Sequence, residues 1–349
     1  MVRLAISMGD PSGVGAEVTA RALAGLRRLP IVPYVYGDAA LHGREARRAG
    51  LRLPEVEPDE PLPPRGALVR VTRLAAADRR PGRPSPAGGA AQLRYLEAAF
   101  GAVAAGRADA LCTAPVSKAQ VALALPGFVG HTEWLEERCP PGRSVMMLAS
   151  SRLRVALVTN HLALARVPRA VTAAAVLRTV RTTAEALRHD FGVRRPRVAV
   201  CALNPHAGEG GAFGGEEARV VGPAVARARR LGLAASGPWP ADSIYSRAVA
   251  GEFDAVVALY HDQGLVAAKL LDAVGGDPAV NVTLGLPLVR TSPDHGVAYD
   301  RAGRGTASAA SMAAALRLAA ELAQRRRASL RGGAPAKPGR GGGAAPVRR

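Results

Sequence analysis

The sequence predicts an α/β fold, because short apolar segments alternate with helical segments along the chain. The first apolar segment, Val2–Ser7, leads through the glycine-rich turn Gly9–Gly15 into a helical stretch at Glu17–Leu26. Later in the chain, three more apolar runs each lead into a histidine. With 349 residues, 48% of them hydrophobic, the chain is long enough to bury a large core in about two domains.

The remaining elements follow the same alternation. Residues 52–93 are rich in Pro, Gly and Arg and are expected to form loops near a domain edge, around one strand-like run at Ala67–Val71. A helix at Ala90–Ala105 leads into a strand at Ala108–Thr113. Further helices are predicted near Ala170–His189, Glu216–Leu231 and Thr306–Arg327.

Three histidines follow predicted strands and are candidate metal ligands. The runs and their histidines are Arg154–Asn160 with His161, Arg197–Asn204 with His206, and Asp254–Tyr260 with His261. Because ligands bind at the carboxyl ends of parallel strands, the three imidazoles are expected to converge on one site. Neutral imidazole binds zinc, cobalt and related ions, and three protein ligands leave positions for substrate oxygens. Spacing alone leaves a structural role for each histidine equally open.

Two further groups of residues suggest an anionic ligand. Gly130, His131 and Thr132 precede a helix, and a helix N-terminus with such donors can hold a phosphate or a carboxylate; alternatively, Thr132 is only an N-cap. Lys269, Asn281 and Arg290 lie near apolar segments, where a cation needs a partner, either an anionic substrate or an Asp.

Two glycine-rich segments are less specific. Asn204–Glu217 contains glycines that allow close approach of a ligand, or it is an ordinary loop before a helix with Glu216 and Glu217 in its first turn. The turn Gly9–Gly15 lacks the GxGxxG pattern and does not predict a Rossmann dinucleotide site.

The net charge of +19 does not by itself indicate nucleic-acid binding. Residues 325–349 contribute eight positive charges and no acid, and no basic segment is interleaved with aromatic residues. We expect residues 1–328 to form the folded unit, of about two domains, and residues 329–349 to be a disordered basic tail. Three scattered cysteines, no long apolar run and no signal peptide predict a cytoplasmic protein without membrane contact.

Taken together, these segments resemble the 4-hydroxythreonine-4-phosphate dehydrogenase family of vitamin B6 biosynthesis. The matching pieces are MGDPSGVGAE, TAPVSK, GHTEWLEE, MMLAS, NHLAL, LNPHAGEGGAFGGEE, YHDQGL, VNVTLGLPLVRTSPDHG and AGRGTA, which span about residues 4–320. The combination of LNPHAGEGG and YHDQG at this spacing is highly specific.

The resemblance implies two α/β domains with a cleft between them, as in isocitrate and isopropylmalate dehydrogenases, and a homodimer with shared active sites. It implies a divalent metal (zinc, magnesium or cobalt) on His161, His206 and His261, with one ligand lent by the partner subunit. It further implies substrate contacts from His131, Thr132, Lys269, Asn281 and Arg290, and catalytic roles for Lys269 and His206. NAD or NADP would lie near Asp294, His295 and Asp300.

The implied reaction oxidises 4-phosphohydroxy-L-threonine to 2-amino-3-oxo-4-phosphooxybutanoate, which decarboxylates to 3-amino-2-oxopropyl phosphate. One alternative is a paralogous dehydrogenase of 4-phosphothreonate or 4-phosphoerythronate, since Asn160 and Trp134 depart from the family's usual residues. Another is a non-catalytic nucleic-acid-binding protein, which the complete set of histidines and cations argues against.

Overall fold

In the computed structural model, which describes residues 1–139 and 144–330, twelve strands form one continuous sheet. They are β1 (Val2–Ser7), β2 (Ile31–Asp38), β3 (Glu55–Val56), β4 (Ala67–Thr72), β5 (Ala110–Thr113), β6 (Val145–Ala149), β7 (Arg154–Leu157), β8 (Arg197–Cys201), β9 (Ala234–Trp239), β10 (Ala255–Ala258), β11 (Val280–Leu284) and β12 (Val289–Pro293). Their order across the sheet is β3-β4-β2-β1-β5-β12-β11-β6-β7-β10-β8-β9.

The sheet consists of two parallel blocks joined by antiparallel pairs. Strands β3, β4, β2, β1, β5 and β12 are mutually parallel, and so are β7, β10, β8 and β9. Between the blocks, β12–β11, β11–β6 and β6–β7 pair antiparallel. The predicted α/β class is confirmed, and the antiparallel junction is a feature that the alternation of elements did not indicate.

Helices cover the sheet. They are α1 (Gly15–Gly25), α2 (Ala39–Arg48), α3 (Pro86–Ala104), α4 (Lys118–Ala124), α5 (His131–Arg138), α6 (Val167–Ala170), α7 (Ala173–His189), α8 (Gly222–Arg230), α9 (Ala241–Val249), α10 (His261–Gly275) and α11 (Ala310–Leu330). Aromatic residues make up only 4% of the chain. The largest core cluster is accordingly built mainly from Ala, Val and Leu, and it extends from β1 and α1 to α7 and α11.

Local sequence signals explain several helix boundaries. Ser85 caps α3, with its hydroxyl accepting from the N–H of Gly88 at 3.1 Å, and Pro86 occupies the first helical position. Thr172 caps α7 in the same way through Ala175. The helix expected from residue 90 therefore begins four residues earlier, at its Ser-Pro signal.

The C-terminal helix begins and ends later in the chain than expected, at Ala310 and Leu330 in place of Thr306 and Arg327. It continues through Leu330, and Arg326 forms a two-pronged ion pair with Asp190 at 2.7 and 2.6 Å. The first two residues of the predicted tail, Ser329 and Leu330, are thus helical, and the rest lies outside the described residues. Within the described ranges, no helix has both the length and the apolar character required to span a bilayer.

Candidate active site

A cavity of about 550 Å³ opens where the two parallel blocks of the sheet meet. Nine of the residues predicted for the site line it: His131, Thr132, His161, His261, Lys269, Asn281, Arg290, Asp294 and His295. Thr113, Lys118 and Asn160 also line it. Segments that are far apart in the sequence therefore contribute to one polar cavity.

Helix α10 brings His261 to this cavity. The helix begins at His261 and packs closely on β7, because a Cβ at Gly264 would lie only 2.6 Å from Cγ1 of Val155. His261 thereby comes next to His161, which follows β7, and their ring centroids are 5.4 Å apart. Nδ1 of His261 lies 2.6 Å from a carboxylate oxygen of Asp262, which leaves Nε2 available as a ligand atom.

The electrostatic surroundings favour a neutral imidazole at His161. Burial lowers its pKa, and the positive charge of Lys118 lowers it further. Because a metal binds the neutral ring, this environment keeps the lone pair available without competition from a proton.

Arg290 provides a buried positive charge on the cavity wall. It lies on β12 and donates from its two terminal nitrogens to Thr113 Oγ1 at 2.7 Å and Thr283 Oγ1 at 3.1 Å. Among the described residues no carboxylate pairs with it, and its Nε has no hydrogen-bond partner. Burial lowers its pKa to about 10, so the guanidinium remains charged at neutral pH. A buried cation of this kind calls for an anionic ligand.

The N-terminus of α5 faces the same wall. The helix begins at His131 after Gly130, so Thr132 lies in the first turn and the interpretation of Thr132 as an N-cap is wrong. Burial, with Arg290 and Lys118 adding to it, lowers the pKa of His131 well below its ordinary value. Nε2 of this neutral ring has no partner within the described part of the chain. It can therefore bond to a ligand oxygen.

Lys118 and Thr113 are site residues that the sequence interpretation missed. Lys118 is the first residue of α4, and Thr113 ends β5. The available signal was the segment TAPVSK, which places a hydroxyl and a cation directly after a buried strand.

Lys269 faces the cavity from the third turn of α10. Its Nζ lies 3.1 Å from Oδ2 of Asp294, and 54% of its side chain is exposed. The sequence suggested either an anionic substrate or an Asp as the partner of each cation. Lys269 has an Asp as its partner, whereas Arg290 has none among the described residues. The side-chain oxygens of Asn160 and Asn281 are buried without a partner in the described residues, so they can accept from hydroxyl or amino groups.

His206 is not brought into the cavity of its own chain. It lies in a loop after β8, and 65% of its side chain is exposed. The residues from His206 to Gly210 all have positive φ, including His206 itself (53°), Ala207 (56°) and Glu209 (43°). Such conformations cost on the order of 1–2 kcal/mol for each non-glycine residue. Within one chain, the expected convergence of three histidines is therefore limited to His161 and His261.

Asp300 also lies outside the cavity lining, on an exposed turn beside Arg301. The loop that contains Asp300 is fixed by a hydrogen bond from Tyr299 to a buried carboxylate. The Tyr299 hydroxyl donates to Oδ2 of buried Asp10 at 2.6 Å, and Gln92 donates to the same oxygen at 2.9 Å. Gln92 in turn accepts from the N–H of Ser117, next to Lys118. One carboxylate therefore supports two walls of the cavity.

In the described ranges, no group of three His, Cys, Asp or Glu residues is arranged to hold a metal. The cavity instead combines two adjacent imidazoles, a buried guanidinium, two lysines and a helix N-terminus. An α/β sheet with such a cavity at its strand ends is typical of an enzyme that binds a small anionic substrate.

The chain belongs to the family described as pyridoxal phosphate biosynthetic protein PdxA, whose model matches residues 31–319. It is 49% identical over 329 residues to a 4-hydroxythreonine-4-phosphate dehydrogenase of Geobacter metallireducens, covering 92% of this chain and 96% of that protein. The corresponding protein of Caulobacter vibrioides is 45% identical over 332 residues, covering 93% and 98%.

A solved structure is similar over the same range. The 4-hydroxythreonine-4-phosphate dehydrogenase of Klebsiella pneumoniae matches with a TM-score of 0.78 and 35% identity, covering 93% of this chain and all of that one. The resemblance inferred from the motifs is confirmed, and so is the prediction of an oxidoreductase. The family assignment favours neither the acid-sugar phosphate alternative nor the nucleic-acid-binding one.

Proposed function

We propose that this protein oxidises 4-phosphohydroxy-L-threonine to 2-amino-3-oxo-4-phosphooxybutanoate, with NAD or NADP and a divalent metal. The product then decarboxylates to 3-amino-2-oxopropyl phosphate, in the synthesis of pyridoxal phosphate. The observation that carries the proposal is the buried Arg290, which has no carboxylate partner among the described residues and shares a cavity with two adjacent imidazoles.

The substrate's phosphate and carboxylate would be bound by cationic and hydrogen-bonding groups on two sides of the cavity. Arg290 offers a planar donor group fixed by two threonines, with His131, Thr132 and the N-terminus of α5 beside it. Lys118 adds positive charge on the same side. Asn281 and Asn160 would accept from the hydroxyl and amino groups between the charged ends.

The residues present fit a divalent metal such as zinc, magnesium or cobalt if two subunits contribute. His161 and His261 would be ligands from one chain, and His206 would come from the partner subunit. The low pKa of His161 and the bond from His261 to Asp262 suit metal ligation. When bound, the metal acidifies the substrate hydroxyl and stabilises the negative charge that develops in oxidation and decarboxylation.

A nicotinamide cofactor would lie along the segment that contains Asp294, His295 and Asp300. His295 has an unpartnered Nε2 at the cavity wall, within the described residues. The cofactor accepts the hydride when bound.

Lys269 would act as the proton-transferring group. Its ammonium is held by Asp294 at the cavity rim, where the exposed side chain can exchange protons with solvent. Once this ammonium has released a proton to solvent, the neutral amine would take the proton from the substrate hydroxyl, and the ammonium so formed would donate that proton to the carbon from which carbon dioxide has left.

A homodimer would complete this site. Helix α10, which carries His261 and Lys269, exposes Val266, Leu270 and Val274 in a stripe of four-residue spacing. These side chains are 67%, 59% and 75% exposed. A second copy seated on this stripe would lie next to the cavity and could present its His206 there. We place the protein in the cytoplasm, because its three cysteines are free, as is usual in a reducing compartment.

The direct test is formation of reduced nicotinamide with the purified protein and 4-phosphohydroxy-L-threonine, with 4-phosphothreonate assayed beside it. We expect turnover with the first substrate, loss of turnover with a chelator, and recovery with a divalent ion. Preference for 4-phosphothreonate, or full activity after removal of the metal, would contradict the proposal.

A further inference from the structure

The loop that carries His206 is closed by the carboxylate of Glu217. We propose that Glu217 is a positioning residue: it fixes the loop conformation in which His206 is presented to the partner subunit. The inference rests on the proposed function in one respect, namely that His206 is a metal ligand in the partner's site.

Both oxygens of Glu217 bind the strand end from which the loop departs. Oε1 accepts from the backbone N–H groups of Leu203 and Asn204, each at 2.8 Å. Oε2 accepts from the side-chain amide of Asn204 at 2.9 Å. Glu217 is only 7% exposed, so these bonds form with little competition from water. The carboxylate thus joins the first and last residues of the segment 204–217.

The closed segment contains a conformation that the local sequence does not favour. Five consecutive residues from His206 to Gly210 have positive φ, although three of them are not glycine. Gly208 is packed against the Glu217 carboxylate, because a Cβ there would lie 2.8 Å from Oε2. A run of this kind persists only when the surrounding structure holds it. The bonds to Glu217 provide that constraint at the base of the loop.

The hydrogen bonds of Glu217 would fix the backbone position of His206; they are made to Leu203 and Asn204 and not to the imidazole ring. The imidazole contacts Phe213 edge-on, with centroids 6.2 Å apart, and its Nδ1 lies 3.4 Å from Glu209. The effect of changing Glu217 should therefore appear in metal binding, which depends on where the ring stands, more than in the chemistry of the loaded site.

The test measures zinc affinity of the full-length dimer by competition with a chromophoric chelator. In Glu217→Gln, the new NH2 group faces the side-chain NH2 group of Asn204. Because both are donors, the hydrogen bond between these side chains is lost. We expect zinc affinity to fall on the order of 10-fold, as when other outer contacts of metal ligands are removed. The zinc concentration for half-maximal activity should rise equally, with the maximal rate retained. Glu216→Gln is the matched control, because Glu216 bonds to the side chain of Asn204 but not to the backbone N–H groups of Leu203 and Asn204, which Glu217 binds.

His206→Ala separates the two hypotheses. If His206→Ala weakens zinc binding and Glu217→Gln does not, the positioning role is wrong and the shared metal site stands. If neither change affects zinc binding, both are wrong. A fall in melting temperature with unchanged zinc affinity would also overturn the inference, because it is the signature of a structural role alone. Should Glu217→Gln fail to fold, Asn204→Ala removes only the side-chain donor and must lower zinc affinity in the same direction.

Discussion

At the scale of single residues, Arg290 is a buried cation in the wall of the cavity. Its guanidinium is fixed by Thr113 and Thr283, which are neutral, so its charge is left for a ligand. Lys269, by contrast, already has Asp294 as a partner at 3.1 Å. The two cations therefore differ: Arg290 is buried and fixed by neutral partners, whereas Lys269 is half-exposed and paired with a carboxylate.

Replacing Arg290 by Lys should impair binding of the phosphorylated substrate. The charge is retained, but one ammonium cannot bond two threonines and a bidentate anion together. We expect the KM for 4-phosphohydroxy-L-threonine to rise at least 10-fold, corresponding to loss of about 1.4 kcal/mol or more. Exposed Arg317→Lys on α11 is the control and should behave as the parent. An unchanged KM in Arg290→Lys would show that Arg290 does not contact the anion.

A second residue, His42, should make the fold sensitive to acid. It is fully buried on α2, and burial lowers its pKa from 6.5 to about 4. Between these values the unfolded chain binds a proton that the folded chain does not, so stability falls as pH falls below 6.5. From pH 7 to pH 5 the loss from this group is about 2 kcal/mol. Denaturant unfolding at pH 7 and pH 5 should show that the free energy of unfolding of His42→Leu falls by about 2 kcal/mol less than that of the parent. An equal fall in both proteins would show that His42 is not the group responsible.

Residue types and their order along the chain predicted most of the cavity, because His161, His261 and Arg290 each lie in or directly after an apolar strand. Lys118 was missed because its segment is short and its cation follows a helix cap, which has an ordinary structural explanation. The outward position of His206 could not be predicted from the strand that precedes it, because it depends on a run of residues with positive φ, three of which are not glycine.

At the scale of elements, the loop from Asp294 to Asp300 depends on contacts beneath it. Tyr299 bonds to Asp10, and the N–H of Val14 bonds to the carbonyl of Val297 at 3.0 Å. The turn Gly9–Gly15, which the sequence suggested only as a strand-to-helix turn, thus also serves as the support for this loop. Nothing in the local sequence of either segment signals the pairing, since 289 positions separate Asp10 from Tyr299.

Tyr299→Phe should loosen this loop without unfolding the protein. Asp10 keeps its bond from Gln92, so the buried carboxylate remains partnered. The lost hydrogen bond contributes on the order of 1 kcal/mol, which predicts several-fold faster amide exchange over residues 294–300. Tyr34→Phe is the control, because Tyr34 bonds to Pro63, away from the loop. Equal exchange in parent and Tyr299→Phe would show that the bond does not hold the loop.

At the scale of the whole molecule, the apolar stripe on α10, formed by Val266, Leu270 and Val274, is the surface on which we expect a partner to bind. In the proposed homodimer, its three exposed side chains would pack against the partner subunit. The antiparallel junction of the sheet places this helix beside the cavity, so the interface and the site would be built together.

Leu270→Glu should therefore dissociate the dimer. A charge buried at an apolar interface costs several kcal/mol unless it finds a partner. Size-exclusion chromatography with light scattering should show a monomer, with activity lost although the cavity residues are intact. Leu231→Glu, an equally exposed position after α8, is the control and should remain dimeric. A fully dimeric Leu270→Glu protein would exclude this face as the interface.

The most direct test of the central claim, a site completed by the partner subunit, is subunit mixing. His206→Ala and His261→Ala proteins should each be inactive alone. After exchange, heterodimers contain one site with both histidines and one with neither, so about a quarter of the wild-type activity per chain should return in a statistical mixture. No recovery, despite exchange demonstrated by mass spectrometry, would mean that both histidines act within one chain, and would contradict the shared site.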